Sequence, residues 1–174
     1  MSDNAKPDVF VRPARPGDEV AIGGIQVDSW VSSLGERLGR NRHDAFDRDG
    51  ITQGWADAIT KPPTPDHRVF VAICEGSVVG FVAVSPPSTI VALEVDPARR
   101  RRGHGSRLLA AAADHLRAHG GESMKLWCLE RDAVRAEFLQ AAGFGEAGMR
   151  RELEGPGLVV PEKLWQASLE SAQP

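Results

Sequence analysis

Four consecutive arginines, Arg99 to Arg102, run straight into Gly103-His104-Gly105. Before them stands the apolar run TIVALEV, Thr89 to Val95, closed by Asp96-Pro97. After them comes SRLLAAAADHLRAHGG, with Leu108, Leu109, Ala112 and Leu116 on one helical face and Gly120-Gly121 at its end. The spacing predicts a strand, a basic glycine-rich elbow and a helix starting near Gly105. The first turn of a helix leaves backbone N–H groups unpaired, and the helix dipole adds partial positive charge there. Glycines let the backbone approach a ligand closely. Such an end binds phosphate groups, and nearby arginines can fork onto phosphate oxygens.

The rest of the chain predicts what surrounds the elbow. VFVRPA, Val9 to Ala14, alternates like a first strand, and RPGD turns into a helix with Asp18 as its N-cap. Val20, Ile22, Ile25, Val27 and Trp30 give that helix an apolar face as far as about Ser33. A second helix is expected near Ile51 to Ile59, and Pro62, Pro63 and Pro65 mark a loop. Val69 to Cys74 and Ser77 to Ser85 flank Glu75-Gly76, a hairpin signal. SMKLWCLE predicts a further strand, AVRAEFLQAAGF a helix closing on Gly143, and GLVVPEKLWQAS a last strand. The expected order is β-α-α-β-β-β-α-β-α-β, a single domain over residues 1–174 with loose ends at 1–8 and 170–174.

Composition removes several classes of function. The formal net charge is −3 and the pI near 6.0, against a chain whose main partner is nucleic acid. Cys74 and Cys128, each in an apolar stretch, make no disulfide framework. With no signal-peptide pattern and no apolar run near about 18 residues, a cytoplasmic protein without a membrane partner is expected.

Three phosphate-binding patterns compete for the elbow. A Walker A loop is absent. A dinucleotide fingerprint would need a third glycine where Leu108 stands. The third, R/Q-x-x-G-x-G/A between a strand and a helix, is matched at every position by Arg100-Arg101-Arg102-Gly103-His104-Gly105. It is the signature of the GNAT acyl-CoA N-acyltransferases, which this chain resembles. VRPARPGD is similar to that family's first strand and turn, and VALEVDP to its fourth strand. LWCLERDAVRAEFLQAAGF is similar to the family segment L-x-V-x-x-x-N-x-x-A-x-x-F-Y-x-x-x-G-F, with Phe138, Gly143 and Phe144 matching.

The resemblance implies an α/β (α+β) GNAT fold. Its mixed, mostly antiparallel sheet is splayed between strands 4 and 5, with helices on both faces. It also implies acetyl-CoA as the acyl donor, with no metal. Carried over, backbone groups of Leu93 and Val95 would pair with the acyl and pantetheine units. Backbone N–H groups from Arg100 through Arg101, Arg102, Gly103, His104 and Gly105 to Ser106 would hold the pyrophosphate, with Asp132 and Phe138 nearby. Arg101 and Arg102 could add charge there. Arg99 is expected to be solvated and His104 to be packed in the elbow.

Two departures stand out. The family asparagine is Asp132, which as a carboxylate can only accept, so its expected place is a helix cap. The family tyrosine, often placed to protonate the departing thiolate, is Leu139, and the chain has no tyrosine at all. A thiol of pKa about 8.5 is still a fair leaving group unaided.

Glu94 sits inside an apolar strand, facing opposite to Leu93 and Val95. A charge there needs a partner, water or a task. It is the candidate general base, with acceptor binding as the alternative. Cys128 is expected in the core, since attack in a ternary complex needs no enzyme nucleophile. Asp28, Trp30, Glu36, His43 and Trp165 are candidates for lining the acceptor pocket. The expected activity is transfer of an acetyl group to a primary amine of a small molecule or peptide. The alternative is an acyl-CoA-binding module without transfer. Acceptor, acyl length and oligomeric state, a homodimer included, stay open.

Overall fold

The computed structural model describes residues 8–41, 44–155 and 157–170, with only the backbone of Glu36. Of the predicted loose ends, 1–8 and 170–174, residues 1–7 and 171–174 lie outside them. Strand β1 covers Val9–Pro13, helix α1 Glu19–Leu34 and helix α2 Arg48–Thr60. Strands β2 (Arg68–Cys74), β3 (Ser77–Ser85) and β4 (Thr89–Val95) follow. Helix α3 (His104–Ala118), β5 (Ser123–Leu129), α4 (Ala133–Ala141), β6 (Gly145–Gly155) and β7 (Leu158–Ser168) complete the order.

Among the described residues seven strands form one sheet in the order β1-β2-β3-β4-β5-β7-β6. Every neighbouring pair is antiparallel except β4–β5, which is parallel and registered at one pair, Thr89↔Lys125. Beyond that pair the two strands diverge, so the splay expected from the resemblance is present. The β2–β3 hairpin turns at Glu75 and Gly76 with φ of 51° and 77°. Positive φ at both central residues is the turn geometry that suits strand twist.

Two cores sandwich the sheet. Ile22 and Ile25 of α1 pack with Val69, Val71, Ile73, Phe81 and Ala83 on one face. Trp55 of α2 meets Phe81 edge-on at 4.9 Å between centroids and donates to Gln26 Oε1 at 2.7 Å, fastening α2 to α1. On the other face Leu108, Leu109, Ala112 and Leu116 of α3 and Leu139 of α4 pack with Val82, Leu93, Leu126 and Trp165. No helix of the described residues is long and apolar enough to cross a membrane.

Three expectations need correction. The strand β6 was absent from the predicted order: every one of its described side chains is exposed, so no apolar alternation marks it. Asp18 occupies the N-cap position, but its side chain makes no cap hydrogen bond. Its carboxylate instead accepts from the Arg15 backbone N–H at 2.9 Å and from Arg12 at 2.7 and 3.0 Å, tying β1 to the turn. Burial works to raise the Asp18 pKa, but Arg12 and the Arg15 N–H outweigh it and hold it below the usual value. The second helix is longer than predicted because Asp47 caps it, accepting from Gly50 N–H at 3.0 Å.

Candidate active site

After Val95 the chain makes a short 3₁₀ turn, Pro97–Arg99, capped by Asp96 accepting from the Ala98 N–H at 2.9 Å. Arg101 and Gly103 then take left-handed φ values of 61° and 79°. A left-handed conformation is uncommon for a residue with a Cβ and persists where surrounding structure imposes it. Alternating such residues turns successive N–H groups into one concavity, the geometry that holds anions. Gly105 has a different reason: a Cβ there would lie 3.0 Å from Phe138 Cζ, so its absence lets α3 start against α4.

The elbow opens on a cavity of about 560 Å³. Leu93 and Val95 of β4 form one wall, and Asp132, Val134, Arg135, Glu137, Phe138 and Ala141 from α4 and its cap another. The elbow contributes Arg100, Arg101, Gly103, His104, Gly105 and Ser106. Of the residues expected to hold the donor, all but Arg102 are brought to this cavity; Arg102 offers its carbonyl to Arg107 at 3.2 Å.

The arginines have separate surroundings. Arg99 stands 3.6 Å from Glu75 at the surface. Arg100 turns back toward the protein, reaching the Val95 carbonyl at 3.5 Å and Ser29 Oγ at 3.4 Å. His104 is 2% exposed, and neither ring nitrogen has a hydrogen-bond partner among the described residues. Burial first, then Arg107, Arg102 and Arg99, push its pKa below 6.5, so the ring is held neutral.

Arg135 escaped the sequence reading. Its Nη1 donates to the Leu93 carbonyl at 2.7 Å and its Nη2 to Glu94 Oε2 at 2.5 Å. Its Nε stands 3.8 Å from Asp132 Oδ2. Burial opposes its charge, but Glu94 and the other neighbours outweigh burial, and its pKa is raised. The signal was present: Arg135 fills the position where the family segment has alanine. Glu94 therefore has the partner that a buried carboxylate needs. It is 9% exposed, stands opposite Phe81 in register, and lies on the α1 face rather than in the wall of the cavity.

Asp132 caps α4, accepting from the Arg135 N–H at 3.0 Å, as a carboxylate in that place should. Leu139 is fully buried in the main core. Cys128 is 2% exposed, and burial pushes its thiol up to about 12, which leaves it without thiolate at neutral pH.

The acceptor candidates scatter. Asp28 pairs with Arg48 at 3.0 Å and borders a second hollow of about 420 Å³ with Val31, Ser32 and Asp96. Trp30 packs on Phe46 at 5.2 Å. Trp165, 4% exposed, belongs to the main core, so it is corrected from pocket lining to packing. The Glu36 side chain and His43 lie outside the described residues.

A strand–elbow–helix beside a sheet splay is the arrangement that the resemblance implied. The model of the acetyltransferase (GNAT) family matches residues 28–144, and the chain belongs to that family. It is similar to streptothricin acetyltransferase of Streptomyces lavendulae, 30% identical over 79% of this chain and 82% of that protein. It is also similar to an uncharacterized N-acetyltransferase, YuaI, of Bacillus subtilis (strain 168). That relative is 29% identical over 86% of this chain and 92% of its own. The solved PaiA N-acetyltransferase of Thermoplasma acidophilum, in complex with coenzyme A, matches with a TM-score of 0.74 and 14% identity. The match covers 92% of this chain and 99% of that one, and at such identity it shows the fold alone.

Proposed function

We propose that this chain transfers an acetyl group from acetyl-CoA to a primary amine of a small molecule or peptide, by direct attack in a ternary complex. One observation carries the reading. The left-handed Arg101 and Gly103 open the elbow onto a cavity walled by Leu93, Val95 and Phe138. The pyrophosphate would lie on the backbone N–H groups from Arg100 to Ser106. The pantetheine arm would run along β4 at Leu93 and Val95, toward the splay.

An ammonium has no free lone pair, so the acceptor must lose a proton before it attacks the thioester carbon. Glu94 would take that proton, directly or through one water, from the α1 face. The tetrahedral adduct then expels the thiolate, and its nitrogen gives up the second proton to the departing sulfur or to water. With Leu139 packed in the core, that position offers no acid to the sulfur. The buried Cys128, with its thiol pushed up to about 12, supports a route without an enzyme nucleophile.

Free-thiol release from acetyl-CoA across a panel of primary amines tests the proposal. Streptothricin belongs in the panel because the relative from Streptomyces lavendulae is named for it. Amine-dependent thiol release with mass gain of one acetyl group on the amine is the expected result. A chain that binds coenzyme A yet releases no thiol with any amine would overturn it.

A further inference from the structure

Past its first residue β4 has no registered partner on the β5 side, because the two strands are registered at Thr89↔Lys125 and diverge afterwards. Buried carbonyls need hydrogen-bond donors. At Leu93 that donor is a side chain: Arg135 reaches across from α4 to the Leu93 carbonyl at 2.7 Å. The other terminal nitrogen of the same guanidinium holds Glu94 Oε2 at 2.5 Å. A guanidinium is a rigid planar fork, so its two terminal nitrogens move together. A third group waits beside it, since Asp132 Oδ2 stands 3.8 Å from Nε. The guanidinium can therefore leave Glu94 and still face a carboxylate, and an incoming ammonium can take its place beside Glu94.

We propose that Arg135 is a positioning residue that couples donor binding to release of Glu94. One guanidinium holds both the Leu93 carbonyl and the Glu94 carboxylate. An acyl-CoA arm that takes the Leu93 carbonyl through an amide N–H turns the guanidinium toward Asp132 and frees Glu94 for the amine. This rests on the reading that the arm runs along β4. The carboxylate that accepts the ammonium proton is then withheld until the donor is seated.

The test compares two ligands that differ by the arm. Coenzyme A carries it; 3′-phosphoadenosine 5′-diphosphate carries all of the phosphate groups without it. Calorimetry is run on the wild-type chain, on Arg135→Ala, and on the double variant Arg135→Met/Glu94→Gln, whose paired removal strands no buried charge. Circular dichroism and thermal melts establish that each variant is folded. Coenzyme A should bind about fivefold tighter to the variants, the size of one net hydrogen bond no longer displaced. The nucleotide without the arm should bind as before. Loss of a cation would ordinarily weaken an anionic ligand, so tightening confined to coenzyme A supports the coupling. Unchanged or weaker coenzyme A binding, or an equal change for both ligands, overturns it. A wild-type chain that binds neither ligand instead overturns the donor-site reading beneath it.

Discussion

Glu94 and His104 are each within a few residues of the elbow, and both are buried, but their chemistry differs because their partners differ. Glu94 has a guanidinium at 2.5 Å, whereas His104 has no partner on either nitrogen among the described residues. Glu94→Gln keeps the shape of the side chain and removes the basic oxygen. Its kcat should fall by about 10²-fold or more, the usual size of a lost acid–base group. Coenzyme A affinity should not fall, and should rise toward that of the Arg135 variants because the carboxylate no longer holds the guanidinium. A raised KM with unchanged kcat would reassign Glu94 to acceptor binding. His104 should mark the acid side of the stability curve. Burial and the flanking arginines hold its folded pKa below the ordinary 6.5. As pH falls through that value the unfolded chain takes up a proton that the folded chain resists, so stability is lost as pH drops. His104→Leu should flatten the pH dependence of urea unfolding below about pH 6.5, by up to about 1.4 kcal/mol per pH unit. Parallel curves for the two chains would mean that the ring finds a partner in solution.

At the scale of elements, the elbow asks two things of one glycine. Gly103 has φ 79°, and it stands where backbone N–H groups must meet phosphate oxygens. Gly103→Val should therefore show two separable losses. Melting without ligand should report about 1–2 kcal/mol of left-handed strain. Calorimetry with coenzyme A should report lost binding in the chain that remains folded. Wild-type affinity in that chain would place the phosphates elsewhere. The same scale explains why β2, β3 and β4 were legible and β6 was not. The inner strands alternate between two apolar cores, one on each face, so their runs of valine, isoleucine and alanine announce them. The edge strand β6, GEAGMRRELEG, buries no side chain, and its pairing with β7 leaves no mark on the residue pattern.

Over the whole molecule, two parts of the sheet, β1-β2-β3-β4 and β5-β7-β6, share one registered pair of residues, Thr89↔Lys125. A donor spanning β4, the elbow and α4 would tie these parts together. Coenzyme A at about 100 times its Kd should add about 2.7 kcal/mol. For a chain of this size that corresponds to a rise of roughly 5–10 °C in Tm, readable by thermal shift. No rise at millimolar coenzyme A, with calorimetry agreeing, would remove the donor assignment.

The order of amino acids by itself determined the strand, the elbow and the helix after it. Those depend on neighbours along the chain: alternating apolar residues, a glycine at a left-handed turn, and a first helical turn with N–H groups to spare. It also determined the capping role of Asp132, which follows from side-chain chemistry. Only the tertiary structure decided that Arg135 would meet Glu94. The two are 41 residues apart, joined across a splay that forms because β4 and β5 diverge after Thr89↔Lys125. The electrostatics of the candidate site come from that meeting. No pattern within a single segment holds it, because attraction between charges depends on distance in space and on how much water lies between them.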